Sequence, residues 1–282
     1  MTLLAIPFPD FNPIALEIGP VAIKWYGLAY MAGLLLGWMY IRRLLTEQRL
    51  WPRGTPPFDA TRTDDLLLFM TIGVVLGGRL GFVLLYEAGH YLSNPSEIAM
   101  VWKGGMAFHG ALLGCGLAIW LFARWTKVST LSTMDLCAAT VPLGLLFGRV
   151  ANFINGELWG RPTEVPWGMV FPEARLQYPQ LEPLPRHPSQ LYEAALEGLV
   201  LFLVLRYMTH HRGSLQTPGL TTGLFLIGYG LARTFCEMFR SPHAGHALNI
   251  GPLTAGMMYS IPMILLGMWF IWNSQKRAAK AA

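Results

Sequence analysis

The run Gly148-Arg-Val-Ala-Asn-Phe-Ile-Asn-Gly-Glu-Leu-Trp-Gly-Arg161 gathers guanidinium, amide and carboxylate groups into one short stretch. Asn152 follows Arg149 by three positions, and Asn155 and Glu157 follow within the next turn. If the helix persists for one turn, Arg149 and Asn152 share a face. Gly156 and Gly160 then free the backbone to turn and allow another group to approach closely. A guanidinium flanked by side-chain amides is a donor-rich site suited to phosphate, because the Arg fork bonds phosphate oxygens bidentately. Asparagines that only cap a helix end are the structural alternative.

Four further clusters carry polar groups into apolar surroundings. His109 enters an apolar segment within Gly104-Gly-Met-Ala-Phe-His-Gly110, where a hydrogen-bonded packing role competes with a chemical one. Tyr26 and Tyr30, in Trp25-Tyr-Gly-Leu-Ala-Tyr30, fall on one helical face and form either an interfacial belt or a headgroup site. Arg186-His-Pro-Ser-Gln-Leu-Tyr-Glu193 opens a span, with Pro188 suited to a first turn and Gln190, Glu193 and Glu197 forming a polar stripe. Tyr229 and Arg233, in Gly228-Tyr-Gly-Leu-Ala-Arg233, again share a face, with Glu237 and Arg240 beyond them.

These groups matter because of where they must sit. Hydrophobic residues make up 53% of the 282-residue chain and charged residues only 13%. An ordinary soluble domain is about 25% charged. A spanning helix needs about 20 mostly apolar residues. Candidate spans are Val21–Tyr40, Leu66–Tyr86, Met106–Ala123, Leu131–Phe147, Gln190–Tyr207, Leu220–Cys236 and Leu253–Trp272. The expected fold is therefore an all-α integral membrane protein with seven transmembrane helices in one polytopic domain. The connection from Asn152 to Pro188, rich in Pro and charge, is expected to form a small extracytoplasmic head, or arms lying on the membrane surface, between spans four and five.

Lys and Arg in short connections set orientation. Arg42, Arg43, Arg49, Arg53, Arg62, Arg124, Lys127, Arg206, Arg212, Lys276, Arg277 and Lys280 collect on one side. On the other, Lys24, Lys103, Arg161, Arg175 and Arg186 are diluted by Glu87, Glu97, Glu157, Glu164, Glu173 and Glu182. The N-terminus is expected outside and the C-terminus in the cytoplasm. The net charge of +5 then reflects topology and anionic membrane lipid rather than nucleic acid. Asp10 and Glu17, with no basic segment before them, argue against a cleavable signal peptide. Cys115, Cys137 and Cys236 lie far apart in apolar stretches, so neither a metal site, a cofactor nor a disulfide framework is expected.

A charge at the bilayer centre costs roughly 2.5 to 3.5 kcal/mol on insertion scales. Arg79, Arg149, Arg233 and Arg240 are the arginines this applies to. Arg79 and Arg240 have an alternative role, pairing with carboxylates such as Glu87 or Glu237 to pin helices. Arg149 and Arg233 each end a span on its outer side among Gly and polar neighbours, which favours an anionic lipid headgroup.

Taken together, Trp25-Tyr-Gly27, Phe108-His-Gly110, Gly148-Arg-Val-Ala-Asn-Phe-Ile-Asn155, Gly156-Glu-Leu-Trp-Gly160, His187-Pro-Ser-Gln-Leu-Tyr-Glu193 and Gly228-Tyr-Gly-Leu-Ala-Arg233 closely resemble the bacterial prolipoprotein diacylglyceryl transferases. The resemblance covers nearly the whole chain, and the Asn-Phe-Ile-Asn-Gly-Glu stretch is its most specific part. It implies a seven-span enzyme of the bacterial plasma (inner) membrane. Such an enzyme moves the diacylglyceryl group of phosphatidylglycerol onto the lipobox cysteine thiol of a preprolipoprotein, releasing glycerol 1-phosphate. The family's functional positions carry over to Tyr26, His109, Arg149, Asn152, Glu157, Gly160, Tyr229 and Arg233, and Asn155 belongs to the same motif. The family pattern has Gly where Ala111 and Ala151 stand, a difference that bears on backbone packing more than on chemistry.

Thioether formation is displacement at the glyceryl carbon with phosphate departing. It requires a thiolate from a thiol whose free pKa is about 8.5, charge stabilisation at the phosphate and in-line positioning. Arg149 and Arg233 are expected to meet the phosphate, Asn152, Asn155, Glu157 and Tyr229 to order the site, and His109 to act as general base or orienting group. An anion transporter and a non-catalytic lipid-binding protein are the competing readings. No internal symmetry supports the transporter.

Overall fold

The computed structural model describes residues 6–9, 11–12, 14–19, 21–172, 184–241 and 253–281. Asp10, Glu173, Arg175 and Glu182 lie outside the described residues. Helices dominate: α1 (Trp25–Thr46), α2 (Thr63–Leu85), α3 (Ala88–Ser93), α4 (Phe108–Thr126) and α5 (Thr130–Ile154) precede the long connection. After it, α6 (Ser189–Glu193) runs through a π-helical stretch, Ala194–Val200, into α7 (Leu201–His210), followed by α8 (Leu220–Glu237) and α9 (Ala255–Ala281). Each expected span overlaps one of these helical segments.

Among the described residues, four helices are long and apolar enough to cross a membrane: Ala60–Leu85, Phe108–Thr126, Thr130–Ile154 and Ala255–Lys280. Their outward side chains are apolar: Leu84 on α2, Leu113 on α4 and Leu265 on α9 are each more than half exposed. That distribution suits lipid, which offers every apolar side chain a partner that water does not.

Short strands stand beside the helices at two of the connections. The first expected span does not begin as helix. Val21–Lys24 is a strand, β3, paired antiparallel with β2 (Ile14–Ile18) around Gly19. Alternating apolar and β-branched residues favour extension there, and Gly19 turns the chain at a φ of 59°. A second pair, β1 (Ile6–Pro7) with β4 (Met169–Val170), is parallel. It lies beside a small core of Phe153, Trp159 and Phe171, with Phe8, Met169 and Leu191 packed against it. The Arg186 guanidinium covers the Trp159 ring at 4.7 Å.

The chain forms two compact units, Met1–Tyr40 with Cys137–Ala282, and Ile41–Leu136. In the second, α2 and α4 meet backbone to backbone. A Cβ added at Gly77 would run into the Gly110 carbonyl oxygen and lie 2.8 Å from Gly114 Cα. Such small-residue contacts give van der Waals packing where lipid supplies no hydrophobic drive between helices.

The same unit decides the role of Arg79. Its carboxylate alternative, Glu87, is not its partner. Buried at 3% exposure, Arg79 donates to the backbone carbonyls of Glu97 (2.7 Å), Ile98 (2.8 Å) and Gly104 (2.6 Å). Its guanidinium lies 5.0 Å from the Tyr91 ring centre. The Glu97 carbonyl also accepts from the Met100 N–H at 3.0 Å. To those of Ile98 and Gly104 Arg79 supplies the hydrogen bond, so the charge closes the loop instead of awaiting a ligand.

Candidate functional site

The first unit assembles the site from three helical segments. On α5 the helix continues past its expected end to Ile154, so Arg149 and Asn152 do share a face. On α6 and the π-helical stretch, Gln190, Glu193 and Glu197 are buried at 1% exposure or less. On α8, Tyr229, Arg233 and Glu237 recur at four-residue spacing, and Arg240 follows the helix end.

The two arginines singled out by sequence converge on the same carboxylates. Arg149 Nε lies 2.7 Å from Glu193 Oε2, and Arg149 Nη2 lies 3.5 Å from Glu197 Oε2. Arg233 Nη1 lies 3.4 Å from Glu193 Oε2 and 3.6 Å from Glu197 Oε1, and Arg233 Nη2 is 2.8 Å from Glu237 Oε2. Arg240 pairs with Glu193, at 3.3 Å, rather than with its expected neighbour Glu237, which Arg233 holds at helical spacing. Among the described residues, guanidinium and carboxylate groups are balanced three to three. Buried pairs of this kind offset their own desolvation only while complete. Removing one partner strands a charge at about 3–5 kcal/mol.

A loop built on the α5 end forms the second layer. Glu157 Oε1 accepts from Asn152 Nδ2 at 2.8 Å and from Asn155 Nδ2 at 3.3 Å. The asparagines therefore hold a carboxylate as well as ending a helix. Gly156 and Leu158 both take positive φ, 67° and 60°, a conformation uncommon for a side chain such as Leu. Gln190 Nε2 donates to the Glu157 carbonyl at 2.6 Å, and Ser189 Oγ to the Leu158 carbonyl at 3.0 Å, which fixes that turn. Gly160 donates its N–H to the His187 carbonyl at 2.8 Å and pairs with Arg240 across an antiparallel bridge. The loop thus carries the 240 segment to Glu193.

Tyr26 donates its hydroxyl to Tyr30 at 3.1 Å and lies within electrostatic reach of Glu157 and Arg149. Tyr229 stands in the same relation to Glu197, Arg233, Arg149 and Glu193. Arg149, Asn152, Asn155, Glu157, Gly160, Tyr26, Tyr229 and Arg233 thus belong to one unit. His109 belongs to the other, on the first turn of α4 with its ring 5.9 Å from that of Phe108.

Three carboxylates that complete the site were not read as such from sequence. Glu193 and Glu197 had a signal: two acidic residues four apart at the head of an apolar span need cationic partners. That Glu237 pairs within its own helix follows equally from its spacing to Arg233. Arg149 retains Nη1 without a partner among the described residues and is 17% exposed at its side chain. The point between the two guanidinium groups is held by Glu193 Oε2.

The family model for prolipoprotein diacylglyceryl transferase matches residues 13–273 of the chain. A protein of Rhizobium meliloti named phosphatidylglycerol–prolipoprotein diacylglyceryl transferase is 50% identical over 280 residues, spanning 99% of this chain and 98% of its own length. One of the same name from Rhizobium leguminosarum bv. trifolii is 51% identical over 280 residues, covering 98% and 97%. A third, from Rhodopseudomonas palustris, is 49% identical over 283 residues, covering 100% and 96%.

Proposed function

Since the chain belongs to the prolipoprotein diacylglyceryl transferase family, we propose that it transfers the diacylglyceryl group of phosphatidylglycerol to the lipobox cysteine thiol of preprolipoproteins. The thiolate sulfur attacks the glyceryl carbon, the carbon–oxygen bond breaks, and its electron pair leaves with the phosphate. The thiol proton passes to a base, and glycerol 1-phosphate departs. The protein is a multi-pass protein of the bacterial inner membrane. It crosses seven times, with its N-terminus outside, its C-terminus in the cytoplasm and the 152–188 region on the outer surface.

The observation that carries this reading is the meeting of Arg149 and Arg233, from different helices, on one pair of buried carboxylates. Two guanidinium groups held in place by one pair of carboxylates are preorganised for the charge that develops on the departing phosphate. Fixed donors of that kind are commonly worth about 100- to 1,000-fold in rate. Asn152 and Asn155 hold Glu157, which with Gly160, Tyr26 and Tyr229 orders the headgroup region. His109 is assigned to the thiol proton. The path from sulfur to phosphate needs no covalent intermediate.

The test is direct. Purified protein, phosphatidylglycerol vesicles and a synthetic lipobox peptide are incubated, and glycerol phosphate release is measured. Release should require the peptide's cysteine and vanish when it is replaced by serine. Release that does not depend on the peptide, or no release with any lipobox peptide, rejects the reading.

A further inference from the structure

Glu193 and Glu197 have no role in the chemistry above, yet they stand at its centre. Glu193 Oε2 occupies the point on which Arg149 Nε and Arg233 Nη1 converge, at 2.7 and 3.4 Å. Glu197 lies within Ala194–Val200, which is π-helical, a rare widening of the helix that recurs at functional sites. Gly198 brings that stretch onto α5. A Cβ there would lie 2.7 Å from Leu146 Cα, one turn before Arg149. Glu197 is held more loosely than Glu193. Its oxygens sit at 3.5 and 3.6 Å from the guanidinium nitrogens, and both are buried without an aligned hydrogen bond among the described residues.

The charge balance has a consequence. With Arg149, Arg233 and Arg240 facing Glu193, Glu197 and Glu237, the set is neutral. An anionic headgroup landing on Arg149 and Arg233 leaves one uncompensated negative charge where solvation is poorest. Glu193 and Glu197, 1% and 0% exposed at the side chain, cannot turn into water without unwinding their helix. A proton on the looser carboxylate restores neutrality with no such movement.

Resting on the functional reading above, we infer that Glu193 and Glu197 are positioning residues for the two arginines, and that Glu197 takes up one proton as a monoanionic phospholipid headgroup binds. The headgroup brings one negative charge and the proton one positive, so the buried set returns to neutral. Among the described residues, the charged and titratable groups facing the pair are Arg149 on α5, Tyr229, Arg233, Cys236 and Glu237 on α8, and Arg240 beyond it.

The experiment measures retention of phosphatidylglycerol by the full-length protein in nanodiscs of phosphatidylcholine, from roughly pH 6 to pH 9. A phosphodiester keeps its charge throughout, so any slope belongs to the protein. Wild-type affinity should weaken as pH rises, approaching about tenfold per pH unit for one coupled proton. E197Q, neutral at every pH, should bind with a flat profile and exceed the wild type at the alkaline end. E193Q removes the same charge and should also flatten the profile, but with weaker retention overall, because Arg149 Nε and Arg233 Nη1 lose the acceptor they share. A flat wild-type profile overturns the coupling while leaving the lipid site intact. A slope that survives E197Q unchanged also overturns it, since a histidine would then be the titrating group. No retention of phosphatidylglycerol at any pH removes the functional reading and this inference with it. The wild-type profile decides even if a variant fails to fold.

Discussion

Gly160→Ala inserts one methyl group where the backbone leaves no room. Its Cβ would lie 2.5 Å from the Phe239 carbonyl oxygen, 2.6 Å from that of His187 and 2.7 Å from His187 Cβ. Carbon–oxygen contacts normally begin near 3.3 Å, so the chain must open by roughly 0.8 Å on each side. The two oxygens are main chain and the His187 Cβ moves only with its own backbone, so none of the three can swing aside as the far end of a side chain would. Opening the gap stretches the 2.8 Å bonds from Gly160 N–H to His187 and from Arg161 N–H to Phe239. It also draws Arg240 away from Glu193, now 3.3 Å distant. Overpacking of this kind costs about 1–3 kcal/mol, and a misplacement near 1 Å at a reacting centre can cost roughly 100-fold in rate. The expected result is a 10- to 100-fold loss of glycerol phosphate release, with a lower thermal midpoint in detergent. Gly116→Ala is the control. A Cβ there meets nothing within 4 Å, so activity and midpoint should hold or rise slightly, as alanine is the better helix former. A Gly160→Ala protein with the wild-type rate and midpoint would refute the packing argument.

Arg79→Ala should unfold the protein more readily, by about 2–6 kcal/mol, because it removes the donor to the Ile98 and Gly104 carbonyls, each costing about 1–3 kcal/mol when left unmet. Whatever fraction remains folded should bind lipid normally. Arg149→Ala and Arg233→Ala should instead cut transfer by about 100-fold or more; a ranking that places Arg79 first contradicts the site. His109→Gln should abolish transfer and leave phosphatidylglycerol retention unchanged, and retained transfer rejects the base role. Burial lowers the His187 imidazole below its ordinary value. The unfolded chain therefore binds the proton more readily, and the thermal midpoint should fall as pH drops through about 6.5. His187→Phe should flatten that part of the profile, and an unchanged profile would assign the loss to another group.

What the sequence determines by itself is the class of molecule and the identity of much of its machinery. Apolar runs bounded by charge mark the helices, since lipid permits no backbone group to go unbonded. Arg149, Asn152 and Glu157 could be read as one cluster because a helix turn and a short loop are local structures. The two strand pairs were not legible, since β1 joins β4 across more than 160 residues. The sequence set Arg149 above Arg79 as a ligand-binding candidate, but what each of them binds was not legible. Only the tertiary structure decides it, by giving Arg79 a ring of loop carbonyls and Arg149 the carboxylates of a helix about forty residues away. A buried charge takes its meaning from its partners, and partners brought together by long-range packing leave no trace in local spacing.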